Sequence, residues 1–100
     1  MRVSISKVEG QVFSGSDYSL HVLNDSKGEK RELHTHSDCD ESWVIVKGKY
    51  EITIDGEDFV AEVGDLVTVE RQVVHSIEAL EDSNTRLAIF KDGTTIDYVD

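Results

Sequence analysis

His34-Thr35-His36, followed after four residues by Glu41, places three metal-capable side chains on one short segment bounded by Gly28 and Gly48. In a strand, residues i and i+2 share a face with backbones about 6–7 Å apart, so His34 and His36 project together and can chelate one ion. Glu41 comes after the polar link Ser37-Asp38-Cys39-Asp40 and opens a strand at the parity of Trp43 and Ile45. A carboxylate there faces inward if those apolar side chains do. His75, eleven residues past Gly64, begins another strand with Ile77 on its face. An inward His75 completes a set of three histidines and one glutamate, and metal-supported chemistry is the leading reading. Ligation needs neutral imidazoles, so metal binding is expected to weaken below about pH 6.

The elements that must position these residues read as strands. Tyr18 to Leu23 alternates Tyr18, Leu20 and Val22 against Ser19, His21 and Leu23, and Trp43-Val44-Ile45-Val46 is an apolar run suited to a strand covered on both faces. Tyr50 to Ile54 puts Tyr50, Ile52 and Ile54 on one side, and Asp55-Gly56 then signals a tight hairpin into Asp58 to Val63. Leu66 to Val69, Val73 to Ala79 and Arg86 to Lys91 follow, with Thr95 to Val99 as a last strand and Val3 to Ser6 as an edge strand. No stretch at helical period competes. Many short strands separated by turn signals predict an all-β sandwich or barrel, with Gly48 and Asp55-Gly56 at reversals that need positive φ.

One hundred residues suit one domain, 1–100. No run approaches the roughly 20 apolar residues that span a bilayer, and the N-terminus lacks a cleavable apolar segment, so a cytoplasmic protein without a membrane partner is expected. The single cysteine, Cys39, has no partner for an internal disulfide, which agrees with a reducing compartment. A formal charge of -11 argues against nucleic acid, because phosphate binding needs clustered Lys and Arg. An uncovered sheet edge makes a homodimer the expected assembly.

With these residues in place, the chain resembles a small single-domain cupin. That family's first motif is Gly, five residues, His-x-His, three or four residues, Glu, six residues, Gly, and Gly28, His34, His36, Glu41 and Gly48 meet each position. Its second is Gly, five residues, Pro-x-Gly, two residues, His, three residues, Asn. Gly64 and His75 match it, while Glu70, Gln72 and Ala79 stand where Pro, Gly and Asn are usual. Glu70-Arg71-Gln72 must therefore reverse the chain without a preset φ. The resemblance implies a double-stranded β-helix, or jelly-roll β-barrel, with a divalent transition metal (Mn, Fe, Ni, Zn, Co or Cu) on His34, His36, Glu41 and His75. Four protein ligands in an octahedral field leave two positions open to a small-molecule ligand or substrate.

Two functions are compatible with such a site. One is a metal-dependent enzyme, a dioxygenase, isomerase or lyase, and the other is a non-catalytic binding or sensing module; a degenerate structural dimer is a third reading. His21 is a possible base on its strand but stays outside the metal set, and Cys39 reads as an exposed loop thiol. Tyr50, Trp43 and Phe59 read as core aromatics. Arg71 and Arg86 have no assigned place, and no clear anion clamp is visible.

Overall fold

Ten strands in two antiparallel sheets make up most of residues 1–99, which this computed structural model describes. One sheet has the order β1 (Gly10–Ser14), β2 (Ser19–Ser26), β9 (Ser83–Phe90), β4 (Glu41–Lys47), β7 (Leu66–Val69). The other has the order β10 (Asp97–Tyr98), β3 (Lys30–Thr35), β8 (His75–Ala79), β5 (Lys49–Ile54), β6 (Glu57–Glu62). Late strands return between early ones, β9 between β2 and β4 and β8 between β3 and β5, which is the jelly-roll crossover. The all-β jelly roll expected from the sequence is therefore the observed fold. Closure is the part that differs: among the described residues no strand pairing joins the two sheets, so the expected barrel is an open two-sheet sandwich.

Alternation sends one face of each sheet inward. Trp43 and Ile45 from β4 meet Tyr50 and Ile52 from β5 and Ile77 and Ala79 from β8, with Val67, Val69, Ala61 and Ala88 filling in. Burying each of the large side chains contributes about 1.5–3 kcal/mol. Val44 and Val46 are only half-buried, so the run expected to be covered on both faces is covered on one. Phe59 pairs with Ile52 on the edge strand β6, stays 39% exposed and is not a core aromatic.

Several strand bounds differ from expectation for visible reasons. The Val3 to Ser6 segment is no edge strand: Lys7 N–H bonds the Ser4 carbonyl at 3.0 Å and closes a 3-10 turn over Ile5–Lys7. The edge beside β2 is taken instead by β1, which had no clear alternation. Thr95 to Val99 contributes only Asp97–Tyr98, paired with Thr35 and His34. Strand β9 starts at Ser83 because it pairs with β2 in unbroken register from Ser83↔Ser26 to Phe90↔Ser19.

The turns follow their chemistry. Asp55 (φ 50) and Gly56 (φ 81) form the two-residue reversal between β5 and β6. Gln72 (φ 67) occupies the left-handed conformation where the motif has glycine, at a cost of about 1–2 kcal/mol. Its N–H is held by the His36 carbonyl at 2.7 Å, so the turn is tied to the site. Gly48 (φ 74) joins β4 to β5, and a methyl group there would meet the Ser83 carbonyl oxygen at 2.7 Å and the Asn84 side chain. Gly48→Ala is expected to destabilise the fold by about 2–4 kcal/mol, from left-handed strain plus displacement of a buried amide. Urea unfolding with an unchanged midpoint would refute this.

Candidate metal centre

The site is assembled from both sheets. Register places His34 of β3 opposite His75 of β8, and His36 lies just past the end of β3. Glu41 opens β4 in the facing sheet and points inward with Trp43. All four expected residues come together: one ligand atom from each of His34, His36, Glu41 and His75 lies within 4.8 Å of the others, and all four residues are buried. The His34 and His75 rings are 4.1 Å apart between centroids, and His36 is 5.2 and 5.5 Å from them.

Each imidazole is oriented from behind. His34 Nδ1 is 2.6 Å from the Glu32 carbonyl, His36 Nδ1 is 3.0 Å from that of Thr95, and His75 Nδ1 is 2.9 Å from that of Val73. A carbonyl only accepts, so each Nδ1 carries the proton and donates it. Each Nε2 is left as the lone-pair atom, the tautomer a metal ligand needs. On the acid side, the Trp43 indole N–H donates to Glu41 Oε2 at 3.0 Å, leaving Oε1 toward the histidines. Glu41 Oε1 is 3.1 Å from His36 Nε2 and 3.7 Å from His75 Nε2.

This arrangement tests whether a cation fits. Buried lone pairs and a carboxylate facing one another repel unless a proton or a metal lies between them. His75 Nε2 is buried with no hydrogen-bond partner, as a free donor atom would be. Without metal, the protons must bear the load. The hydrogen bond with Glu41 raises the His36 pKa above its ordinary 6.5 against the pull of burial. Burial pushes the Glu41 carboxyl up, but the contacts with His36, His75 and Trp43 outweigh it and hold the pKa at about 2. Burial lowers His34 below 6.5. The donor set, tautomers and orphaned nitrogen fit a divalent transition metal.

Beside the cluster lies a cavity of about 190 Å³, reached by His34, His36, Glu41, Trp43, Arg31 and Arg86. His21 is outside the four: its Nε2 pairs with Ser19 Oγ at 2.8 Å and its ring stacks on Phe90 at 4.3 Å. Cys39 is buried rather than exposed, because Thr94 from the C-terminal segment covers it, with Sγ 3.4 Å from Thr94 Oγ1. Arg71 is a surface group whose Nε lies 3.6 Å from Asp40. Arg86, which has no assigned place in the sequence, is 7% exposed and buried beside the cavity. Its parity with Ala88 in β9 was the available signal.

The fold is that of a cupin. The family model described as "Cupin domain" (Cupin_2) matches residues 21–90, and the chain belongs to this family. Quercetin 2,3-dioxygenase of Bacillus subtilis (strain 168) is 30% identical over 77 residues, covering 77% of this chain and 23% of that enzyme. The chain thus spans about a quarter of that relative's length. KdgF from Halomonas sp. superposes with a TM-score of 0.78 at 22% identity, over 81% of this chain and 74% of that one. An uncharacterized conserved protein with a double-stranded β-helix domain from Klebsiella pneumoniae superposes at 0.82 and 14% identity, over 98% and 97% of the two chains. At these identities the structural likeness speaks for the fold. Among the described residues, no helix is long and apolar enough to cross a membrane.

Proposed function

We propose that the chain is a metal-dependent cupin that binds one divalent transition metal through His34, His36, Glu41 and His75 and acts on a small organic molecule. The observation that carries this reading is the convergence of three buried imidazoles, each with Nδ1 committed to a backbone carbonyl, on one carboxylate oxygen. When bound, such a metal supplies Lewis-acid polarisation and a template for a ligand. The chain's own residues aim the donors. The carbonyls of Glu32, Thr95 and Val73 hold the rings, and the Trp43 indole holds Glu41 so that Oε1 faces inward.

Similarity to a protein named quercetin 2,3-dioxygenase favours an enzyme over a sensing module and makes dioxygenation the first reaction to test. The cavity of about 190 Å³ shares Leu23, Arg31, Ile77 and Arg86 with a neighbouring one of about 360 Å³, room for a small organic molecule beside the cluster. Elemental analysis of protein purified without added metal, beside His34→Ala and Glu41→Ala, tests the centre. We expect near-stoichiometric metal in the parent and at least a tenfold loss in each variant, since even residues behind the ligands affect affinity by about 10–100-fold. Metal retained by both variants overturns the assignment. Oxygen uptake with small chelating acids and phenols then separates turnover from binding alone.

A further inference from the structure

We infer that Arg86, with Arg31 beside it, forms an anion subsite in the same cavity, so that the ligand taken here is a small organic carboxylate. Only the ligand's other end rests on the metal-centre reading. Arg86 lies level with Leu23 and Ile45 in the inward face of its sheet. Its Nη1 donates to Asp25 Oδ2 at 2.9 Å, and its guanidinium carbon lies 5.4 Å from the Tyr50 ring centroid and 5.9 Å from that of Trp43. The Tyr50 hydroxyl donates to the same Asp25 oxygen at 2.8 Å. Arg86 Nε, by contrast, is buried with no acceptor. A guanidinium is a fork of donors shaped for a planar carboxylate, and here Asp25 takes Nη1 while the Nε proton stays unmatched.

Arg31 adds a second charge at the same place. It stands opposite Ile77 in register, on the strand that carries His34, and among the described residues it makes no ion pair. Both arginines reach the cavity that His34, His36 and Glu41 line. The Trp43 indole lies between the two ends, 5.8 Å from the His75 ring and 5.9 Å from the Arg86 guanidinium carbon. In a chain with 10 Lys and Arg against 21 Asp and Glu, two guanidiniums on one small cavity are not an average surface. Asp25 neutralises one of them, so the arginine pair keeps a single positive charge, which matches one carboxylate group.

The test compares propionate with propionamide, which share shape and differ in charge, titrated into ¹⁵N-labelled, Zn²⁺-loaded protein. We expect propionate to bind at least tenfold tighter and the Arg86 Nε–H resonance to be among those that move most. Arg31→Gln should cut the preference at least threefold, and Arg86→Lys, which keeps the charge and loses the Nε donor, should cut it further. If Arg86→Lys does not fold, the Arg86 resonance and the Arg31 variant decide. His34→Ala separates the two readings: a preference that survives without metal places the carboxylate on the arginines. A preference that disappears in His34→Ala, with the Arg86 resonance unmoved throughout, places it on the metal and overturns the inference alone. Protein that takes up no metal yet keeps the preference and the Arg86 shift overturns the metal centre alone. Equal affinity for the two probes, or no binding of propionate, overturns the anion subsite.

Discussion

Adding Zn²⁺ to the metal-free protein at neutral pH is expected to raise its unfolding temperature by about 10–20 °C, and His75→Ala is expected to abolish the rise. A ligand that binds only the folded state at a hundredfold excess over Kd stabilises by about 2.7 kcal/mol. In a domain of this size each kcal/mol shifts Tm by roughly 4–8 °C. The unfolded chain cannot match that affinity, because the donors come from β3 and the residue after it, from β8 and from β4, in two sheets, and converge only on folding. The rise should shrink as pH falls below about 6, where protons compete for the imidazoles. Metal-free protein should respond differently, and the signs differ by residue. The His36 pKa is raised by Glu41, so its contribution is present below 6.5 and is lost as pH climbs through the folded value. The His34 pKa is lowered by burial, so its contribution is present above 6.5 and is lost as pH falls through the folded value. Glu41, held at about 2 against an ordinary 4.5, contributes above 4.5 and loses that contribution between there and about 2. Differential scanning fluorimetry across pH, with and without Zn²⁺, reads all of these; a metal shift that persists unchanged at pH 5 would contradict imidazole ligation.

The cluster was legible in the sequence because it depends on local parity and spacing. Glu41 shares a face with Trp43 and His75 with Ile77, so these two point inward once the apolar residues define inside. His34 and His36 share a face by period two, but Leu33, the apolar residue of their strand, is on the other face and 41% exposed, so the motif spacing was the signal for that pair. What supports the cluster was not legible, because it depends on pairings between strands far apart in sequence. The Thr95 carbonyl behind His36 comes from 59 residues away, and Arg86 meets Asp25 across 61. Local alternation says that Arg86 shares a face with Ala88; only the insertion of β9 between β2 and β4 brings it to Asp25, Tyr50 and Trp43. Val3 to Ser6 shows the converse. It alternates like a strand, but its backbone turns on itself and β1 takes the neighbouring edge. The altered second motif proved a matter of backbone cost, with Gln72 adopting the glycine conformation and His75 still in register with His34.

Asn84→Ala is expected to cost about 3–5 kcal/mol, a large share of the 5–15 kcal/mol that holds a domain together. This side chain is 1% exposed and uses both ends of its amide fully. Its Oδ1 accepts from the N–H groups of Lys49 at 3.0 Å and Glu81 at 3.1 Å. Its Nδ2 donates to the carbonyls of Asp25 at 3.0 Å and Glu81 at 2.7 Å. Truncation strips four backbone groups of their side-chain partner, each worth about 1–3 kcal/mol if left dry, and water entering at the turn recovers part of the loss. The amide stitches the start of β5 to the start of β9 and to the end of β2 that carries Asp25. It is also what crowds Gly48, whose missing Cβ would run into the Asn84 side chain. The glycine that closes the first motif is therefore half of a pair: its bare Cα makes room for the amide that fixes the hairpin. The two substitutions should then be coupled, with Gly48→Ala costing at least 1 kcal/mol less in an Asn84→Ala background, because the clash with the amide has gone and only the φ strain and the contact with the Ser83 carbonyl remain. Urea unfolding of the two single variants and the double variant measures the coupling, and strictly additive losses would show that the Asn84 amide does not constrain Gly48.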